Sequence, residues 1–192
     1  MTQNKKRQMH IGMLLLGCGH HQAAWLMPDS SIEQIGTLTY YQNIAQLAER
    51  GYFDAIFFAD NQAFNPSSDL DMPSMWYDPI VNLTAIAQVT HHIGLVATIS
   101  STFSNPFTTA RQLLTLDHMT NGRVGWNLVT SMTDEEARNH SLPALPEREE
   151  RYAKADEFAS VMNQLLTSWR GEDFVHDRAT STLIHADHIQ PF

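Results

Sequence analysis

Four short apolar runs, each followed by a segment with helical spacing, constrain this chain more than any other feature. The runs are Ile11 to Leu16, Ala55 to Ala59, Ile93 to Ile99 and Val124 to Val129. Each is rich in β-branched or aromatic residues and too short for a helix, so each reads as a buried strand. After the first, Ile35, Leu38, Tyr41, Ala45, Ala48 and Tyr52 recur every three or four residues, with Ser31 and Gln34 as a capping box and Gly51 as the stop. Asp78-Pro79 and Asn105-Pro106 each set a capping side chain before a proline at the first helical position. The helix opened by Pro106 closes at Asn121-Gly122, a left-handed stop. A fourth helix starts near Pro146, with a predicted buried stripe of Tyr152, Ala155, Ala159, Met162, Leu166 and Trp169 and with Gly171 as terminator.

Strand alternating with helix implies parallel strands joined by right-handed crossovers, so the expected class is α/β in one domain over residues 1–192. Periodicity alone leaves two architectures open, a doubly wound sheet and a barrel. The first strand-to-helix turn, Gly17-Cys18-Gly19-His20-His21, lacks G-x-G-x-x-G and a P-loop lysine, so the usual phosphate cradle of an open sheet is absent. Residues 173–192 have no strong period and are expected to be a loop or an insertion segment.

The charge balance narrows the partners. Lys and Arg number 12 against 21 Asp and Glu, a net charge of -9 that repels nucleic acid and anionic membranes. No run approaches the roughly 20 apolar residues that span a bilayer. The single cysteine, Cys18, allows no intramolecular disulfide and fits a reducing, cytoplasmic location.

In parallel β/α folds the chemistry gathers where the strands end. Those ends offer Cys18, His20 and His21; then Asp60 and Asn61; then Thr98, Ser100, Ser101 and Thr102; then Asn127, Thr130 and Ser131. Hydroxyls, a carboxylate and an amide over a floor of Phe57, Phe58, Phe103 and Trp126 suit a flat, polar-edged ligand such as an isoalloxazine ring. Ten histidines invite a metal site, but no pair comes with ligands at a known spacing, and none is expected. His91 and His92 are read as closing a helix, where the dipole favours a partly positive imidazole, and Asp134-Glu135-Glu136 as a solvated loop or helix start.

The strings Phe57-Phe58-Ala59-Asp60, Val96-Ala97-Thr98, Leu116-Asp117-His118, Gly122-Arg123, Gly125 to Ser131 (GWNLVTS) and Glu150 to Phe158 (ERYAKADEF) together resemble the bacterial luciferase-like flavin-dependent monooxygenases. Within that family the strings are similar to the group that includes the nitrilotriacetate, dibenzothiophene-sulfone and long-chain alkane monooxygenases, and the likeness runs from about His10 to at least Gly171. The resemblance implies a partial TIM (β/α)8 barrel, about its first four βα units. It implies a two-component enzyme in which a separate flavin reductase supplies reduced FMN, and FMN and O2 together oxygenate a small organic substrate.

Carried over residue by residue, the resemblance puts Asp60, Thr98, Asn127 and Tyr152 at the cofactor. Cys18 and His21 reproduce a cysteine-histidine spacing that lies beside the substrate in alkane-type members, which makes His21 the catalytic candidate. The chain departs from the pattern at Arg148, where the family usually has histidine, and at Asn65, where an aromatic is expected. Four further barrel units and a phosphate-binding serine of the family are not within these 192 residues. The resemblance therefore also implies exposed strand edges, with a homo-oligomer or the missing C-terminal half to cover them. Two alternatives stay open: a truncated, inactive fragment or interaction module, and a deazaflavin-dependent oxidoreductase on the same scaffold.

Overall fold

The computed structural model describes residues 8–21, 23–63, 77–168 and 170–189. Its elements are β1 (Gly12–Leu15), α1 (Leu38–Arg50), β2 (Ala55–Phe58), α2 (Pro79–Ala87), β3 (Gly94–Ser100), α3 (Pro106–Thr120), β4 (Val124–Val129), α4 (Asp134–Asn139), α5 (Arg148–Leu166), β5 (Phe174–Asp177) and β6 (Thr182–Ile184). The first four strands form one parallel sheet in the order β1-β2-β3-β4. A doubly wound sheet reverses its strand order at a switch point. Here every crossover steps the same way, as in a barrel wall, and this settles the choice the periodicity left open.

Stepping one way also puts the helices on one face. The core joins Leu15, Ile56, Phe58, Leu95, Ala97 and Ile99 of the strands to apolar residues of α1, α2, α3 and α5. Because successive strand residues point to opposite faces, the alternate set lies on the other side: Leu14, Phe57, Val96 and Gly125 in register, then Thr98 beside Asn127, then Ser100 beside Val129. This second face is the inner wall of the partial barrel. The same alternation corrects the expected aromatic floor. Phe58 turns into the core against Tyr41 (ring centroids 5.8 Å apart) and Trp126 against Phe158 (6.2 Å), so of the strand aromatics only Phe57 faces inward.

The helix signals hold unevenly. Asp78 and Asn105 cap α2 and α3 through Val81 N–H and Thr108 N–H, each with proline next, and Asn121 closes α3 in the left-handed conformation at φ 56°. Asn105→Ala is expected to cost about 1 kcal/mol of stability by urea unfolding. The start of α1 differs from expectation: Thr37 is the cap, accepting from Tyr40 N–H, and Ser31 merely precedes a 3-10 turn. At the other end the left-handed residue is Tyr52, at φ 58°, and not Gly51. His91 and His92 do not close a helix, since α2 ends at Ala87; their backbone N–H groups and that of Ile93 all donate to Glu49 Oε1. Burial alone would raise the Glu49 carboxyl, but these three donors hold it below its ordinary value.

α5 ends at Leu166, short of Gly171, and buries Ala155, Phe158 and Met162. Tyr152 is 53% exposed and off that stripe, because the stripe passes through the neighbouring Arg151. Trp169 lies outside the described residues. Within the segment expected to be a loop or insertion, β5 and β6 form an antiparallel hairpin, tied back by His185 N–H to the Asp173 carbonyl.

At the amino ends of the strands, the Arg123 guanidinium gathers several loops at once. It donates to the Thr120 carbonyl (3.2 Å), the Thr90 hydroxyl (3.2 Å) and the carbonyls of Ile93 (2.9 Å) and Thr90 (3.1 Å). Gly94 lies in the same region, where an added Cβ would stand 3.0 Å from the Asp54 carbonyl, so β2 and β3 enter the sheet in close backbone approach.

Candidate functional site

The carboxyl ends of the strands carry the polar residues that the fold leaves unburied by helices. Thr98, on the inner face of β3, is 3% exposed; its hydroxyl donates to the Phe58 carbonyl at 2.7 Å and accepts from Asn127 Nδ2 at 3.3 Å. One threonine thus bridges β2, β3 and β4 just below the point where β2 delivers Asp60. Further along, Ser100 and Ser131 share a hydroxyl contact of 2.9 Å, Ser101 reaches the Val129 carbonyl, and Thr102 reaches the Thr130 carbonyl at 2.7 Å.

Beside this wall lies a hollow of about 740 Å³, lined among others by Asp60, Asn61, Thr130, Ser131, Glu136 and Tyr152. Its volume is in the range of small-molecule and cofactor sites. Burial raises the Asp60 carboxyl above its ordinary value, opposed by the Gln62 Nε2 bond at 2.8 Å and reinforced by the nearby Asp78 and Glu136 carboxylates. The linkage has a definite sign. Asp60 adds no folding penalty below its unfolded pKa, gains one as pH rises toward its folded value, and carries it in full above that. At neutral pH its ionised form opposes folding.

The residue that organises the hollow lies at the helix start that the acidic run Asp134-Glu135-Glu136 allows, but it is buried and not solvated. Glu136 is 6% exposed. Its Oε2 accepts from Met132 N–H (3.1 Å), Thr133 N–H (3.2 Å) and the Thr133 hydroxyl (3.2 Å), and its Oε1 from the Ser131 hydroxyl (3.3 Å). With the Thr133 hydroxyl accepting from Glu136 N–H, this is a capping box that opens α4. The T-x-x-E spacing from Thr133 to Glu136 was the available signal; the burial was not visible in it.

From α5, Arg151 donates to the carbonyls of Pro146, Thr130 and Ser131, the last at 2.6 Å, and Lys154 donates to the Thr102 carbonyl at 2.8 Å. These cations of the ERYAKADEF string hold the strand ends; Tyr152 stands between them at the hollow. The Arg148 guanidinium lies over the Tyr152 ring, 5.5 Å from its centroid, a cation-π geometry that keeps a fixed positive charge at an otherwise acidic rim.

Of the residues expected at a site, Asp60 and Tyr152 line one hollow, and Thr98 and Asn127 pair directly beneath it. His21 is not among its lining residues. It is exposed on the loop after β1, its Nδ1 accepting from Ala23 N–H at 3.1 Å, near a smaller hollow of about 290 Å³ lined by Cys18, His20 and Tyr40. Asn65 and the rest of 64–76 lie outside the described residues. Among the described residues no cluster of His, Cys, Asp or Glu has metal-holding geometry, and no helix is long and apolar enough to cross a membrane.

Comparison with known proteins agrees with this architecture. Residues 9–191 match the luciferase-like monooxygenase family. The chain is 40% identical over 177 residues to N-acetyl-S-(2-succino)cysteine monooxygenase of Bacillus subtilis (strain 168), and 37% identical over 183 residues to nitrilotriacetate monooxygenase component A of Aminobacter aminovorans. The two alignments take in 92% and 90% of this chain and 40% of each relative, so the chain spans well under half of their length. Among solved structures, a riboflavin lyase with modified FMN and riboflavin superposes with a TM-score of 0.85 at 27% identity, covering 97% of this chain and 44% of that one.

Proposed function

The chain belongs to the luciferase-like monooxygenase family, and from that premise we propose that it forms the N-terminal part of an FMN-dependent monooxygenase that oxygenates a small organic substrate. The observation that carries the reading is the convergence of Asp60, Thr98, Asn127 and Tyr152 on one end of the sheet, beside a hollow of about 740 Å³. The donor set fits a flavin: a carboxylate and an amide match ring N–H and C=O groups, a tyrosine ring offers a flat face, and Arg148 offers charge complementary to a phosphate. Bound reduced FMN supplies the reaction with O2. The chain's own residues bind and orient the ring, and the apolar part of the inner wall, Leu14, Phe57 and Val96, limits water.

A relative named as a component A supports a separate flavin reductase as partner. His21, on the loop after β1, is proposed to act on the substrate side. A cytoplasmic setting fits the lone thiol of Cys18. The open edges of the sheet call for the remaining barrel units or a second copy of the chain.

The test joins residues 1–192 to the remaining barrel units of nitrilotriacetate monooxygenase component A and titrates the product with FMN. Affinity in the micromolar range or tighter is expected by flavin fluorescence. Asp60→Asn is expected to raise the melting temperature at neutral pH, by removing a partly buried charge, while weakening FMN affinity at least about tenfold. An unchanged flavin signal with Asp60 and Thr98 intact would remove the site assignment. Anaerobic loading with reduced FMN followed by O2 and substrate should then yield oxygenated product.

A further inference from the structure

Every polar group of one residue near Asp60 has a partner. The Gln62 amide Nε2 donates to Asp60 Oδ2 at 2.8 Å, its Oε1 pairs with His140 Nε2, its backbone carbonyl accepts from Asn139 Nδ2 at 2.8 Å, and its backbone N–H makes a long 3.5 Å contact to Glu136 Oε1. The loop after β2 is thereby clamped to α4. The His140 ring is itself fixed, stacked on Phe103 with centroids 4.3 Å apart and planes at 5°.

These contacts leave the carboxamide no freedom. A glutamine side chain has one accepting end and one donating end. If His140 Nε2–H donates to Oε1, the NH₂ group must face Asp60; if the amide turned over, its oxygen would face a carboxylate. We infer that Gln62 is a positioning residue for Asp60 and that His140, held by Phe103, sets the orientation in which it works. The geometry runs unbroken from the loop after β3, through α4, to the loop after β2.

The charge around Asp60 explains why such a device is needed. Asp78 at the start of α2 and Glu136 of α4 both act against its ionised form, and from α5 Tyr152 and Asp156 line the same hollow while the Arg148 guanidinium lies over the Tyr152 ring. The hydrogen bonds favouring the carboxylate come from Gln62 and the Asn61 backbone. Gln62 therefore keeps Asp60 available as an acceptor for a ring N–H. This inference deepens the flavin reading and takes its functional meaning from it, but its test does not depend on flavin.

The test follows the Asp60 titration by carboxyl 13C NMR on the full 192-residue chain, in solution or by magic-angle spinning if the chain associates. Gln62→Leu is expected to raise the Asp60 midpoint by about half a pH unit or more. His140→Phe preserves a ring stacked on Phe103 and is expected to raise it comparably. His140→Gln, whose amide can donate to the same oxygen, is expected to bring it back toward the wild-type value. In the Gln62→Leu background His140→Phe should add nothing, since the effect travels through the amide. A His140→Phe midpoint equal to that of the wild type, or a shift that persists without Gln62, overturns the proposal. If the midpoints move as expected while Asp60→Ala leaves FMN affinity of the joined barrel unchanged, the positioning role stands and the flavin reading falls.

Discussion

Replacing Glu136 by alanine is expected to lower the unfolding free energy by about 2–4 kcal/mol and to loosen the loop between β4 and α4. The carboxylate accepts the backbone N–H groups of Met132 and Thr133 and the hydroxyls of Ser131 and Thr133, all within 3.3 Å. Alanine offers none of these donors a partner, and the donors sit in a partly buried turn where Ser131 already adopts φ 59°. A left-handed serine persists only where its surroundings over-determine it. Glu136→Gln keeps one accepting oxygen and should lose roughly half as much. Urea unfolding reports the stability, and amide exchange at Met132 and Thr133 reports the loop. Wild-type stability in Glu136→Ala would show that the turn is held from elsewhere.

The second large effect concerns association. Among the described residues β1 and β4 each have a single neighbour in the sheet, and the inner wall leaves Leu14 44% exposed beside Phe57 and Val96. Unpaired backbone groups along a flat apolar edge template pairing with another chain. The 192-residue chain by itself is expected to elute well above its 21.7 kDa, as an oligomer or aggregate. Leu14→Lys sets a charge on the inner face of the β1 edge, and should weaken self-association at least about tenfold, about 1.4 kcal/mol. Joining the remaining barrel units should abolish it. A sharply melting wild-type monomer in sedimentation would mean that these edges are protected in a way the sheet order does not reveal.

Much of the scaffold was legible because it depends on local rules. Asp78-Pro79, Asn105-Pro106 and Asn121-Gly122 mark helix ends through backbone sterics and a single side-chain bond, and short apolar runs mark buried strands. The failures came where tertiary contact decides. Thr37 outcompeted Ser31 as a cap, and Tyr152 was placed on a buried stripe that in fact runs through Arg151, Ala155, Phe158 and Met162. Phe57 and Phe58 looked alike in the sequence, yet neighbouring strand residues must face opposite ways, so one enters the core and the other the inner wall.

The candidate site was legible in part for the same reason. Strand ends announce where polar residues collect, which put Asp60, Thr98 and Asn127 among the candidates, and the resemblance singled them out. Glu136, Gln62 and His140 were not visible, because their roles arise from loops distant in sequence meeting across the sheet end. Acidity near a helix start reads as solvation until a fold encloses it.

Arg123 ties its loops together at the end of the sheet opposite Asp60 and Tyr152. Anchorage and candidate site thus occupy opposite poles of the wall. Residues around the mouth can therefore change while the foundation at the amino ends of the strands stays intact.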